Sequence, residues 1–115
     1  MWKLILALIA VESGGNNNAV GDNGYAYGSL QIHRVVVQDV NRIYGTTYVY
    51  SDRMSRQKSV HICILYLDHY ATKKRLGHEP TYQDMARIWV SGPRGWKKKV
   101  SLPYWRKVKK ELDAR

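Results

Sequence analysis

Residues 2–32 read "WKLILALIAVESGGNNNAVGDNGYAYGSLQI", and the change of character at Glu12 decides the fold. Before it, eight apolar residues follow a single Lys, a pattern apolar on all sides that predicts a deeply buried helix over residues 2–12. After it, Gly and Asn dominate "SGGNNNAVGDNG"; both favour turns and left-handed backbone, so the helix cannot continue. "YAYGSLQI" then alternates as a short extended or hairpin-like piece would. The opening "MWKLILALIAV" shares the layout of a signal peptide, but the run is short for one, and a buried first helix is the expectation. It is also too short to span a membrane.

Working outward, helical periodicity continues through most of the chain. "HRVVVQDVNRIYG" predicts a second helix with Val36, Val40 and Ile43 on one side and Gly45 as its stop. Residues 51–77 read as one long helix that buries Val60, Cys63, Ile64 and Leu67 and ends at Gly77. Thr81 and Asp84 have the spacing of a capping box, opening a helix with Met85, Ile88 and Trp89 on one face. "VSGPRGW" breaks that helix, and "LPYWRKVKKEL" forms the last one, with Pro103 in its first turn. The expected fold is mainly α, five to six helices with at most a small β element between the first two, in one domain over residues 1–115.

Composition narrows the partners. A net charge of +10 draws the chain toward polyanions: nucleic acid, anionic membrane, or a wall polymer carrying carboxylates and phosphates. No recognition helix or RNA-binding signature accompanies that charge, so a specific nucleic-acid partner is not expected. One cysteine excludes an internal disulfide, and no Cys/His cluster has metal-ligand spacing; neither a metal nor another cofactor is expected. Cys63, inside "SVHICILYL", reads as a core thiol.

Glu12 is the residue with chemistry to offer. Its backbone is anchored to the most apolar segment, and burial disfavours a carboxylate's charged form. A Glu protonated near neutral pH can donate to a leaving oxygen, as cleavage of a glycosidic bond requires. The alternative is a solvated residue at a helix end. The following loop adds glycines for close backbone approach and neutral amide and hydroxyl groups from Asn16 to Asn18, Ser29 and Gln31. Tyr25 and Tyr27 add faces for sugar rings. Of nine acidic residues, only Asp22 shares this loop, as a turn residue or a second acid. The others lie on or beside predicted helices or, for Glu79, in a connection.

Glu12-Ser13 followed by "NAVGDNGYAYGSLQI" resembles the Glu-Ser and Gly-x-x-Gln signatures of lytic transglycosylases, the soluble-lytic-transglycosylase and goose-type lysozyme superfamily. "ARIWVSGPRGW" resembles that family's third motif, usually Ala-Tyr-Asn-x-Gly, and "LPYWRKV" the ending of small bacteriophage members. The resemblance implies a lysozyme-like fold with Glu12 as the single catalytic acid/base. It puts Ser13 near that acid and the ligand, and Gln31 in the saccharide cleft with Ile32 and His33 beside it. Trp89 falls at the third motif's Tyr position. With Tyr27 and Ser29 from the loop reading, the substrate-binding set is Ser13, Tyr27, Ser29, Gln31, His33 and Trp89. Two departures stand out: Trp89 replaces a hydroxyl-bearing Tyr, and Val90 stands where Asn is usual.

The implied reaction cleaves the bond between N-acetylmuramic acid and N-acetylglucosamine in the peptidoglycan glycan strand, leaving 1,6-anhydro ends. One carboxylate suffices when the substrate supplies its own nucleophile. A hydrolytic muramidase on the same fold, or a non-catalytic saccharide- or nucleic-acid-binding module, remains the alternative. A monomer is expected, attracted to anionic wall polymers. It would act in the periplasm or cell wall, reaching it by lysis, a pore or virion delivery.

Overall fold

A computed structural model describes residues 1–115. Six helices and one two-stranded sheet make up the regular structure: α1 (Trp2–Ser13), β1 (Val20–Gly21), β2 (Ala26–Tyr27), α2 (Arg34–Tyr44), α3 (Arg56–Tyr70), α4 (Lys73–Leu76), α5 (Tyr82–Ser91) and α6 (Leu102–Asp113). The fold is mainly α and lysozyme-like, with its small β element between the first two helices, as the sequence led us to expect. The chain divides into two compact units, Met1–Val11 with Leu67–Arg115, and Glu12–Tyr66.

In the first unit, α1 buries Leu4, Ile5, Ala7, Leu8 and Ile9. Burying one such side chain fully contributes about 1.5–3 kcal/mol. The same unit buries Ala86, Ile88 and Trp89 of α5 and Val108 and Leu112 of α6. The Thr81 hydroxyl accepts from the Asp84 amide (3.1 Å), and the Asp84 carboxylate accepts from the Thr81 amide (2.9 Å), completing the expected capping box. His78 adds a third bond to that carboxylate, donating from Nε2 to Asp84 (2.8 Å). Gly95 lets the turn at Gly95–Lys97 lie against α5: a Cβ there would stand 2.0 Å from the Arg87 carbonyl oxygen. Ser101 fixes that approach, accepting from Arg87 Nε and donating to the Gly95 carbonyl, both at 2.7 Å.

In the second unit, Val20 and Gly21 pair antiparallel with Tyr27 and Ala26, and Tyr27 bridges to Ile32. The buried side chains include Ala26, Leu30, Ile32, Val37, Val40, Val60, Ile62 and Cys63. Two expectations need correction. On α2 the buried pair is Val37 and Val40, with Val36 and Ile43 only half-buried, so the face is turned toward Val37. The long helix over residues 51–77 is three pieces: a 3-10 turn at Tyr50–Met54, then α3, then α4. Side-chain capping interrupts it. Asp52 accepts from the Val49 amide (2.8 Å), and Thr72, in extended backbone, accepts from the Arg75 amide (3.2 Å). Such local bonds offer the backbone an alternative to a continuous helix. Val60, Cys63 and Leu67 are buried as expected, Ile64 half-buried, and Ile62 and Tyr66 widen the buried face.

Candidate active site

Glu12 occupies the last turn of α1, half-buried, followed by the loop that its sequence context singles out. Its carboxylate lies near enough to Cys63 to act on it. Burial pushes the Cys63 thiol well above its ordinary range, and the charge of Glu12 pushes it further. The thiol is therefore an inert, fully buried core group, as its setting in the sequence suggests.

The loop after Glu12 is braced by the polar side chains picked out in the sequence. Ser13 Oγ donates to the Ser29 carbonyl (2.8 Å) and accepts from the amides of Gly15 and Asn16, each at 3.1 Å. Gln31, in left-handed backbone with φ 51°, donates through Nε2 to the carbonyls of Ala19 (3.2 Å) and Gly28 (3.0 Å). Ser29 is buried, with Oγ 3.4 Å from that of Ser59. These groups hold the loop's backbone from within.

Two arginines complete the bracing, and the sequence reading missed both. Arg53 is 3% exposed and donates from Nε to the Tyr50 carbonyl (2.8 Å) and from Nη1 to the Ile32 carbonyl (3.0 Å). Its guanidinium lies 4.3 Å over the Tyr27 ring. Arg56 donates to Asn17 Oδ1 (2.7 Å) and the Gly15 carbonyl (2.6 Å). Gly28 must be glycine for the chain to pass Arg53: its φ is 85°, and a Cβ would stand 1.8 Å from the Arg53 carbonyl oxygen. "SDRMSR" carries no local sign of these long-range bonds; two arginines next to an aromatic-rich loop were the only cue.

On the loop's outer side, Tyr27 and His33 line an open recess of about 400 Å³ with Gly24, Tyr25, Arg34 and Val35. Asp22 and Asn23 form a turn with positive φ, and His33 Nε2 donates to the Asp22 carboxylate (2.8 Å). Asp22 is thus both a turn residue and a histidine partner. The other carboxylates have local explanations: Asp39 bonds Arg42, Asp52 and Asp84 cap, and Glu79, Glu111 and Asp113 pair with nearby Lys or Arg, while Asp68 is solvent-exposed. No three His, Cys, Asp or Glu side chains converge where they could hold a metal. Trp89 is buried in α5 of the other unit, and Val90 beside it is exposed.

Residues 1–82 match the family described as the Transglycosylase SLT domain, and the chain belongs to that family. Glu12, Ser13 and Gln31 lie inside the matched segment; Trp89 and Val90 lie beyond it. The fold is similar to a chain in the crystal structure of Aeromonas hydrophila PliI in complex with Meretrix lusoria lysozyme. The TM-score is 0.81 at 26% identity, covering 96% of this chain and 88% of that one. No curated protein matches the sequence.

Proposed function

We propose that the protein is a peptidoglycan-cleaving lytic transglycosylase with Glu12 as its general acid and base. The observation that carries this reading is Glu12 itself. It is half-buried on the last turn of an apolar helix in an SLT-family chain, and a loop braced by Ser13 and Gln31 follows it. Glu12 first gives its proton to the oxygen of the β-1,4 bond between N-acetylmuramic acid and N-acetylglucosamine, releasing the leaving sugar. The acetamido group of the muramic residue stabilises the anomeric carbon. The Glu12 carboxylate then takes the proton of the same sugar's C6 hydroxyl, whose oxygen closes on C1. The product is a 1,6-anhydro end, Glu12 recovers its proton, and no water is consumed.

In this reading Tyr27 and His33 contact sugar, while Ser13, Ser29 and Gln31 keep the cleft-lining backbone in place. The enzyme works as a monomer at the bacterial cell wall, held near it by attraction between its +10 charge and anionic wall polymers. No helix is long and apolar enough to cross a membrane. Glu12→Gln removes the titratable proton with little change of shape. We expect it to abolish clearing of purified Gram-negative peptidoglycan while leaving the melting temperature near wild type; undiminished clearing would refute the assignment.

One observation favours hydrolysis as a second reading. Asp22, hydrogen-bonded to His33 and largely exposed, is a carboxylate in the same loop that could hold a water molecule for attack. Asp22→Asn separates the two: a transglycosylase keeps its activity, a hydrolase loses it.

A further inference from the structure

Arg56, the first residue of α3, turns its guanidinium onto the chain that follows Glu12. Nε donates to Asn17 Oδ1 (2.7 Å) and Nη2 to the Gly15 carbonyl (2.6 Å), across 39 and 41 residues of sequence. The side chain is half-buried and makes no ion pair, so two neutral oxygens hold the cation. Hydrogen bonds from a charged donor are stronger than neutral ones, and the planar fork fixes their direction.

The stretch it grips is poorly able to hold itself. Gly14 and Gly15 stand in succession with φ of 65° and 93°. Glycine loses more backbone freedom on folding than any other residue, so such a pair keeps one path only where other groups tie it down. Ser13 Oγ is one tie, accepting from the Gly15 and Asn16 amides. Arg56 is the other.

The same face of α3 meets this region at two further places. Arg56, Ser59 and Cys63 follow the i, i+3, i+7 spacing that puts side chains on one side of a helix. Ser59 Oγ lies 3.4 Å from that of Ser29, whose carbonyl accepts from Ser13. Cys63 lies within electrostatic reach of Glu12. One helix face therefore carries both the neighbour of the Glu12 carboxylate and the clamp on the chain leaving Glu12.

We propose that Arg56 is a positioning residue for Glu12: by fixing Gly15 and Asn17 to α3, it sets the path of the chain out of Glu12 and hence the aim of the carboxylate at the glycosidic oxygen. This rests on the function proposed above. Arg56 acts through backbone and touches no sugar, so its loss lowers turnover and leaves substrate affinity alone.

The test compares wild type with Arg56→Ala, Arg56→Lys, Asn17→Ala and the Arg56→Ala/Asn17→Ala double variant, with Glu12→Gln alongside. Release of muropeptides from peptidoglycan gives kcat and KM, and NMR hydrogen exchange on the full chain reads the Gly15 and Asn16 amides. We expect Arg56→Ala to lower kcat about tenfold or more with KM within about twofold, as misplacement of a catalytic group does. Arg56→Lys, which keeps the charge without the fork, should fall in between. Asn17→Ala removes one of the two bonds and should cost kcat about threefold, and the double variant should be no slower than Arg56→Ala, because both act on one clamp. Exchange at Gly15 and Asn16 should quicken in Arg56→Ala while the amides of the buried Val37 and Val40 stay protected. Millimolar guanidinium, but not sodium chloride, should restore part of the Arg56→Ala turnover. A merely structural role predicts a lower melting temperature with kcat of the folded protein unchanged. Unchanged kcat in folded Arg56→Ala, a loss confined to KM, or additive losses in the double variant would each overturn the proposal. Should Arg56→Ala not fold, unchanged kcat in both Arg56→Lys and Asn17→Ala overturns it equally. Any of these beside an inactive Glu12→Gln strikes the clamp alone; no release by wild type, or full release by Glu12→Gln, strikes the function beneath it.

Discussion

At the scale of single residues, the loop behind Glu12 depends on positions whose replacement cannot be absorbed. Gly28→Ala combines left-handed backbone with a Cβ driven onto the Arg53 carbonyl. We expect a loss of more than about 2 kcal/mol, read by chemical denaturation. Gln31→Glu puts an acceptor where Nε2 now donates to two carbonyls. That should cost about 1–3 kcal/mol and loosen the loop, and catalysis should fall with it. Ser13 and Gln31 stand out in the sequence because a family signature carries them. In the structure their side chains donate to loop carbonyls. Composition alone says that an amide can bind hydroxyls, and only the fold says which acceptor it has met.

At the scale of elements, helix ends were legible and helix continuity was not. Gly45, Gly77 and the Thr81–Asp84 box stop or start helices where the sequence says they should, because caps act within a few residues. The interruptions of the 51–77 stretch escaped because periodicity persists across them, while a single carboxylate or hydroxyl takes over the backbone. The capping box makes a pH prediction. Burial alone would raise the Asp84 pKa, but hydrogen bonds from the Thr81 amide, His78 and the Thr81 hydroxyl outweigh it and leave it lowered. A carboxyl depressed in the folded state stabilises fully above its unfolded value of about 3.9 and loses that contribution as pH falls through the folded value. Asp84→Asn should therefore lower the melting temperature near neutral pH and narrow the gap to wild type near pH 3. Thr81→Ala should cost about 1 kcal/mol near neutral pH and less as pH falls toward 3, because its hydroxyl also donates to the Asp84 carboxylate.

At the scale of the whole molecule, charge is the property that reaches farthest. Nineteen Lys and Arg against nine Asp and Glu set the +10, with dense runs at "RGWKKK" and in α6. Attraction to anionic wall polymers should weaken steeply as salt shortens the screening length from about 10 Å at 0.1 M to about 3 Å at 1 M. Sedimentation with purified cell walls across that range checks it; salt-independent binding would assign adhesion to apolar contacts instead. The central claim is chemical and concerns one carboxylate. Its most direct test is the mass of the muropeptides released from peptidoglycan by wild type and by Glu12→Gln. We predict anhydro ends, one water lighter than reducing ends, from the wild type and no release from the variant. Reducing ends from the wild type, or release by the variant, would contradict it.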